Sequence, residues 1–269
     1  MGRFRLIATD LDDTLLDDNL QISSRTRRVL NIAAEKGSVV TIATGRMYRS
    51  ACPVALDLGI EVPIITYQGA LVKNACSGEV LAETPLPLSL AGEVLAEGYR
   101  ASVHMNLYFD DCLYVDSLTA AGTGYALLAG VKQHPVGSLV QYLGAARVDP
   151  TKILYIAEPE LLDSLKGDLE AKFGDSLYIT KSKPNYLEFM HPLATKKHAL
   201  ENLARSFDIS REEIIVFGDS YNDLDMIEWA GMGVAMRNAP AEVRGKADYV
   251  TDTNNRDGVA KALERFLEY

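Results

Sequence analysis

The sequence predicts an α/β protein in which a doubly wound parallel sheet, with helices on both faces, carries an inserted α+β unit. Three observations lead there. Short apolar, β-branched runs at residues 4–9, 39–43 and 214–217 each stop at polar residues where a helix signal begins. Strand and helix signals alternate to about residue 82, and then the texture changes. The residues that fit together chemically lie on both sides of that change. The stretch between them is therefore an insertion, with a discontinuous core at 1–83 and 188–269 and an inserted unit at 84–187.

The first strand delivers Asp10 and Asp12 to the carboxyl edge of the sheet, where open α/β sheets place their ligands. Two acids one residue apart can hold a divalent cation and still divide two chemical tasks. The second strand ends at Thr44-Gly45-Arg46. A hydroxyl and the amides around a glycine can hold phosphate oxygens as a helix starts at Met47. Lys196 opens an amphipathic helical pattern, with Lys197 beside it. The run at 214–217 ends in Gly218-Asp219-Ser220-Tyr221-Asn222-Asp223, two acids and an amide within one turn. Taken singly, these features also read as turns, helix caps or a solvated lysine. Their shared place at strand-to-helix junctions, and the complementary chemistry of nucleophile, hydroxyl, ammonium and metal-binding acid, argues for one site.

Thr84-Pro85-Leu86-Pro87 opens the insertion as a linker, because two prolines one residue apart disfavour both helix and central strand. A helix over 89–99 follows, then hairpin strands at 103–109 and 113–115 around Asp110-Asp111. A strand at 153–156, an acidic helix at 159–173 and strands at 177–179 and 186–189 complete the unit, and the chain returns to the core at 184–188. The small-residue stretch 120–124 is too short and mixed for a phosphate loop. Nothing in the insertion's pattern says which side chains face the site.

A chain of 269 residues with 48% hydrophobic content can bury a sizeable core. Lys and Arg number 27 against 37 Asp and Glu, a net charge of −10, which argues against nucleic-acid binding. It also repels a phosphate ester, so a cation together with Arg46 and Lys196 must make one cleft locally positive. Cys52, Cys76 and Cys112 are odd in number and lack a CxxC pair, which points to a reducing compartment, the cytoplasm. The four histidines have no HExxH spacing. Residues 1–6 carry no signal pattern, and no run of 18 apolar residues predicts a membrane span.

With Asp10-Leu11-Asp12-Asp13-Thr14, Thr44-Gly45-Arg46, Lys196 before Ala199-Leu200, and the 218–223 turn, the sequence resembles the haloacid dehalogenase-like phosphohydrolases, specifically the Cof-type branch. Segments 233–239 and 255–260 extend the resemblance over nearly the whole chain. It implies a Rossmann-like core with an inserted cap, Mg²⁺ as cofactor and a small-molecule phosphate ester as substrate, in a monomer or small homo-oligomer. By the same resemblance, Asp10 is the nucleophile and Asp12 the general acid and base. Mg²⁺ falls to Asp10, the Asp12 backbone carbonyl and Asp219. Phosphate falls to Thr44, Gly45, Arg46, Lys196 and Asn222, and Asp223 stands behind them orienting the lysine or a metal-bound water. Three positions depart from the branch: Asp13 and Lys197 replace usual glycines, and Gln68-Gly69-Ala70 replaces Asn-Gly-Ala. Asp13 is read as a turn residue, and Lys197 as the alternative to Lys196. A phosphosugar mutase on the same core and a non-enzymatic phospho-acceptor protein are the competing readings.

Overall fold

The computed structural model describes residues 4–267, so the first three residues of the leader reading lie outside the described residues. The chain begins with β1 (Leu6–Thr9), α1 (Ser24–Glu35), β2 (Val39–Ile42), α2 (Tyr48–Asp57), β3 (Pro63–Thr66), β4 (Leu71–Asn74) and β5 (Val80–Glu83). Next come α3 (Leu88–Arg100), β6 (His104–Phe109), β7 (Cys112–Val115), α4 (Ala120–Ala129), β8 (Gln133–Pro135), α5 (Leu139–Ala146), β9 (Lys152–Ile156), α6 (Pro159–Phe173), β10 (Tyr178–Lys183) and β11 (Tyr186–Met190). It finishes with α7 (Lys196–Ser206), β12 (Ile214–Gly218), α8 (Leu224–Trp229), β13 (Met232–Ala235), α9 (Ala241–Lys246), β14 (Tyr249–Val250) and α10 (Gly258–Phe266).

The core sheet is parallel in the order β14-β13-β12-β1-β2. Alternation along each strand divides its side chains between two apolar layers. Ile7, Ile42, Ile215 and Phe217 pack with Leu30, Ala51 and Leu263, from α1, α2 and α10. Leu6, Ala8, Ile214 and Val216 pack with Leu200, Met226 and Val243, from α7, α8 and α9. The sheet is thus doubly wound, and the chain moves outward from β1 in opposite directions before and after the insertion. That crevice opens at the Asp10 end of β1.

Two sequence readings change. The strand-and-helix rhythm expected to reach residue 82 stops at α2. β3, β4 and β5 form an antiparallel three-stranded sheet, tied to the core by a parallel bridge between Ala43 and Ile65. The turn at Tyr67–Gly69 is far too short for the crossover a parallel pair needs. Residues 184–185, read as part of the return crossing, instead form the hairpin turn between β10 and β11. Glu188 is mid-strand, and the six-stranded sheet β10-β11-β9-β6-β7-β8 runs on to Met190. The 120–124 stretch is the first half of α4.

One face of the six-stranded sheet is covered by α3, α5 and α6, through Met105, Leu107, Ile153, Tyr155, Leu187 and Phe189. The other face carries the alternate residues Tyr108, Leu154, Ile156 and Met190, which pack with Met47, Tyr67 and Leu71 of the core region. Lys152 and Glu188 share the parity of that second face, so strand geometry turns both toward the Asp10 crevice.

Candidate active site

The loop after β1 makes a tight turn at Leu11–Leu15, with Asp13 in a left-handed conformation at φ 58°. This is the turn role expected of Asp13, and its carbonyl accepts a hydrogen bond from Asn238 Nδ2 at 2.7 Å. The turn separates the two acids. Asp10 is buried and meets Lys196, whose Nζ donates to Asp10 Oδ1 at 2.7 Å and to Asp223 Oδ1 at 2.6 Å. Lys196 is wholly buried at the first turn of α7, where Thr195 caps the helix by accepting from the His198 amide. Gly69 fixes this entry: at φ 110°, a Cβ there would lie 2.2 Å from the Thr195 carbonyl oxygen. Of the two lysines it is Lys196 whose ammonium reaches Asp10, while Lys197 is half-buried and its amide donates to Asp225 Oδ2 at 3.3 Å.

Asp219 closes the cluster from the end of β12. One oxygen from each of Asp10, Asp219 and Asp223 lies within 4.8 Å of the others. Asp223 has both oxygens engaged, one by Lys196 and the other by the Asp219 and Ser220 amides at 3.0 Å each. Asp10 and Asp219 are therefore the acids left for an ion. Burial pushes the Asp10 carboxyl up to about 7, with Asp223 and Asp12 adding to it against the opposing pull of Lys196. Burial likewise raises Asp219 to about 9, reinforced by Asp223 and Asp10, although Thr14 Oγ1 donates to it at 2.7 Å. An all-oxygen donor set with too little positive charge fits a hard divalent cation such as Mg²⁺.

Asp12 faces a different partner. Arg46 grips its carboxylate with two hydrogen bonds, Nε to Oδ2 at 2.8 Å and Nη2 to Oδ1 at 2.6 Å. Burial alone would raise the Asp12 carboxyl, but the Arg46 guanidinium holds it below the usual carboxylate range. The expected phosphate cation is thus spent on Asp12 in this geometry. Thr44 is buried, and its hydroxyl oxygen accepts from the Arg46 amide at 3.2 Å. Gly45 is required by contact, since a Cβ there would lie 2.3 Å from Gln68 Nε2. Asn222 lines the cleft as expected, with its Nδ2 donating to Gln68 Oε1 at 2.9 Å.

The cleft is open to solvent, with a cavity volume of about 110 Å³, and the six-stranded sheet supplies part of its wall. Tyr125, Lys183 and Tyr186 line it from the inserted unit, Lys183 exposed and the two tyrosines half-buried, together with the buried Lys152 and Glu188. Sequence reasoning did not find these five. A signal existed for two of them: Lys152 opens and Glu188 interrupts an otherwise apolar strand, and a charge in a buried strand needs a partner. They are each other's partner, at 3.0 Å.

Acids and a buried lysine thus gather at the carboxyl edge of a doubly wound parallel sheet, walled by an inserted sheet, in a two-part α/β protein. The chain belongs to the haloacid dehalogenase-like hydrolases, whose family model matches residues 7–263. It is 31% identical to 5-amino-6-(5-phospho-D-ribitylamino)uracil phosphatase YitU of Bacillus subtilis, over 97% of each chain. It is 30% identical to the HMP-PP phosphatase of Yersinia enterocolitica, over 98% of this chain and 96% of that protein. Among solved structures, TM0651 from Thermotoga maritima superposes with a TM-score of 0.83 at 36% identity, covering 99% of this chain and 98% of that one. No helix among the described residues is long and apolar enough to cross a membrane, and all three cysteines are free.

Proposed function

We propose that the protein is a Mg²⁺-dependent phosphatase of small phosphorylated metabolites that works through an aspartyl-phosphate on Asp10. The observation that carries the reading is the buried Lys196 ammonium between Asp10 and Asp223, with Asp219 within 4.8 Å. Such a cluster holds a carboxylate in place and supplies positive charge where phosphate oxygens gather. Asp10, Asp219 and the Asp12 carbonyl are the groups that would hold Mg²⁺, whose chemistry is to neutralise phosphate charge and keep both carboxylates ionised.

In the first step an Asp10 oxygen bonds to phosphorus as the bond to the leaving oxygen breaks, and Asp12 gives that oxygen its proton. In the second step Asp12 takes a proton from water as the water oxygen attacks phosphorus, which frees inorganic phosphate and restores Asp10. Arg46 holds Asp12 ionised, the form the second step needs. The first step needs the protonated form, so the Arg46 fork must loosen, and a phosphate within its reach supplies the competing anion. Thr44 and Lys196 face the remaining phosphate oxygens, and Asp223 keeps Lys196 in place.

The unit between α3 and β11 acts as the cap, with crossings at 84–87 and 191–195, and Tyr125, Lys183 and Tyr186 read the leaving group. The relatives' names support a phosphorylated small molecule as the substrate class. Three free cysteines fit a cytoplasmic setting. A panel of phosphate esters assayed with and without chelator tests the reading. Turnover of at least one metabolite ester, abolished by chelation and recovered with Mg²⁺, is the expected result, and metal-independent turnover would overturn it.

A further inference from the structure

Behind the phosphate loop, a line of buried polar groups crosses from the six-stranded sheet to the core. Lys152 Nζ donates to the Gly45 carbonyl at 2.9 Å and to Glu188 Oε2 at 3.0 Å. Gln68 Nε2 donates to the same Glu188 oxygen at 3.3 Å, and Ser182 donates to the other oxygen. Gln68 Oε1 then accepts from Asn222 Nδ2 at 2.9 Å. Gln68 is fully buried, Asn222 is 5% exposed, and Asn222 Oδ1 lies buried with no hydrogen-bond partner.

The direction of this line is forced from one end. Lysine has only donors, so the Glu188 oxygen it meets accepts. Gln68 must then turn its NH₂ to Glu188, because its carbonyl there would face a carboxylate. That leaves Gln68 Oε1 toward Asn222, which can answer only with Nδ2. Asn222 Oδ1 is the atom left over, on a residue that lines the cleft.

We propose that Gln68 is a positioning residue: held by Glu188 of the cap, it fixes which end of the Asn222 carboxamide faces the reaction site and presents Oδ1 as a hydrogen-bond acceptor for water there. A dianionic phosphate has no hydrogen to give this atom, whereas water does. The cap thereby sets the polarity of a group in the core, through two amides and one buried ion pair. The inference rests on the phosphatase reading for its functional consequence, while the relay itself does not.

Two exchanges at residue 68 test it. Gln68→Met keeps the length of the side chain and removes the amide, so nothing holds the Asn222 carboxamide in one sense, and kcat on p-nitrophenyl phosphate with Mg²⁺ is expected to fall about tenfold, the scale of one oriented hydrogen bond. Gln68→Glu sets a second carboxylate against Glu188 beside Lys152 and lowers the melting midpoint, yet it still offers an acceptor to Asn222 Nδ2, so its kcat is expected to stay above that of Gln68→Met. A purely structural role predicts lower melting midpoints in both variants and no loss of kcat in either. Wild-type kcat in Gln68→Met, or a Gln68→Glu protein no faster than Gln68→Met, would overturn the proposal. If the wild-type protein hydrolysed no ester, the phosphatase reading would fall, and the melting midpoint of Gln68→Glu, lowered or not, would still decide whether residue 68 faces the Glu188 carboxylate as a donor.

Discussion

Lys196→Met removes the cation held between buried Asp10 and Asp223 and keeps the bulk of the side chain. The wild-type ammonium makes hydrogen bonds of 2.7 and 2.6 Å from a fully buried position, so solvent cannot replace it. Breaking a buried ion pair by deleting one partner costs about 3–5 kcal/mol. The lower end applies here, because Asp10, already pushed up to about 7, can take a proton near neutrality. For a chain of this length, about 3 kcal/mol at ~2–4 °C per kcal/mol is a drop of about 6–12 °C in melting midpoint. Turnover should fall by about 10²–10³, the scale of losing a placed charge from a phosphoryl site. The control is Lys197→Met, expected to shift stability by no more than about 0.5 kcal/mol, because that half-buried side chain is not the one held between Asp10 and Asp223. Calorimetry and steady-state assays on the pair decide the matter. A Lys196→Met protein that melts with the wild type and turns over substrate, beside an inactive Lys197→Met, would refute the reasoning.

Asp10→Asn should fold normally, melt no lower than wild type at pH 8 and show only background turnover; a tenth of the wild-type kcat would remove the covalent step. The folded carboxyls of Asp10 at about 7 and Asp219 at about 9 stand above their ordinary 3.8. The stability that these two groups contribute in the metal-free protein is therefore greatest in acid and is lost as pH rises through these values, while a cation that needs both groups ionised binds better over the same range. The rise in melting midpoint on adding Mg²⁺ is accordingly expected to be larger at pH 9 than at pH 6, and an equal rise at both would count against this pair as the metal ligands. Lys183→Met should reorder the rates on a panel of phosphate esters, with the smallest ester least affected; an unchanged order would take Lys183 out of leaving-group recognition.

The parts of the site that the sequence disclosed are those made by local rules. A β-branched run ending at Asp10, Thr44 or Gly218 states both the strand and the edge at which it stops, because in a parallel sheet those ends coincide. What it hid depends on distant partners. Arg46 could be read as a phosphate ligand from its loop, but its fork is taken by an acid 34 residues earlier. Lys152 and Glu188 are 36 residues apart in the chain and meet only because β9 and β11 pair. The helices α4 and α5 left little trace, since stretches such as Ala120–Ala129 are nearly all small or apolar and show no polar face. The misplaced return crossing has a simple cause as well: Pro184-Asn185 serves a hairpin as readily as a linker.

The side on which Lys152 and Glu188 project is a matter of odd and even. Adding or deleting one residue within β9 would exchange the two faces of that strand, driving the ammonium into the layer of Leu107 and Phe189 and turning Ile153 toward the Gly45 carbonyl. Changes in the surface loops of the cap meet no such test. Variation in this enzyme can therefore accumulate freely in loop length, while the strands beneath admit only changes in steps of two. A designer who wishes to exchange caps between related hydrolases has to match strand parity before matching any side chain.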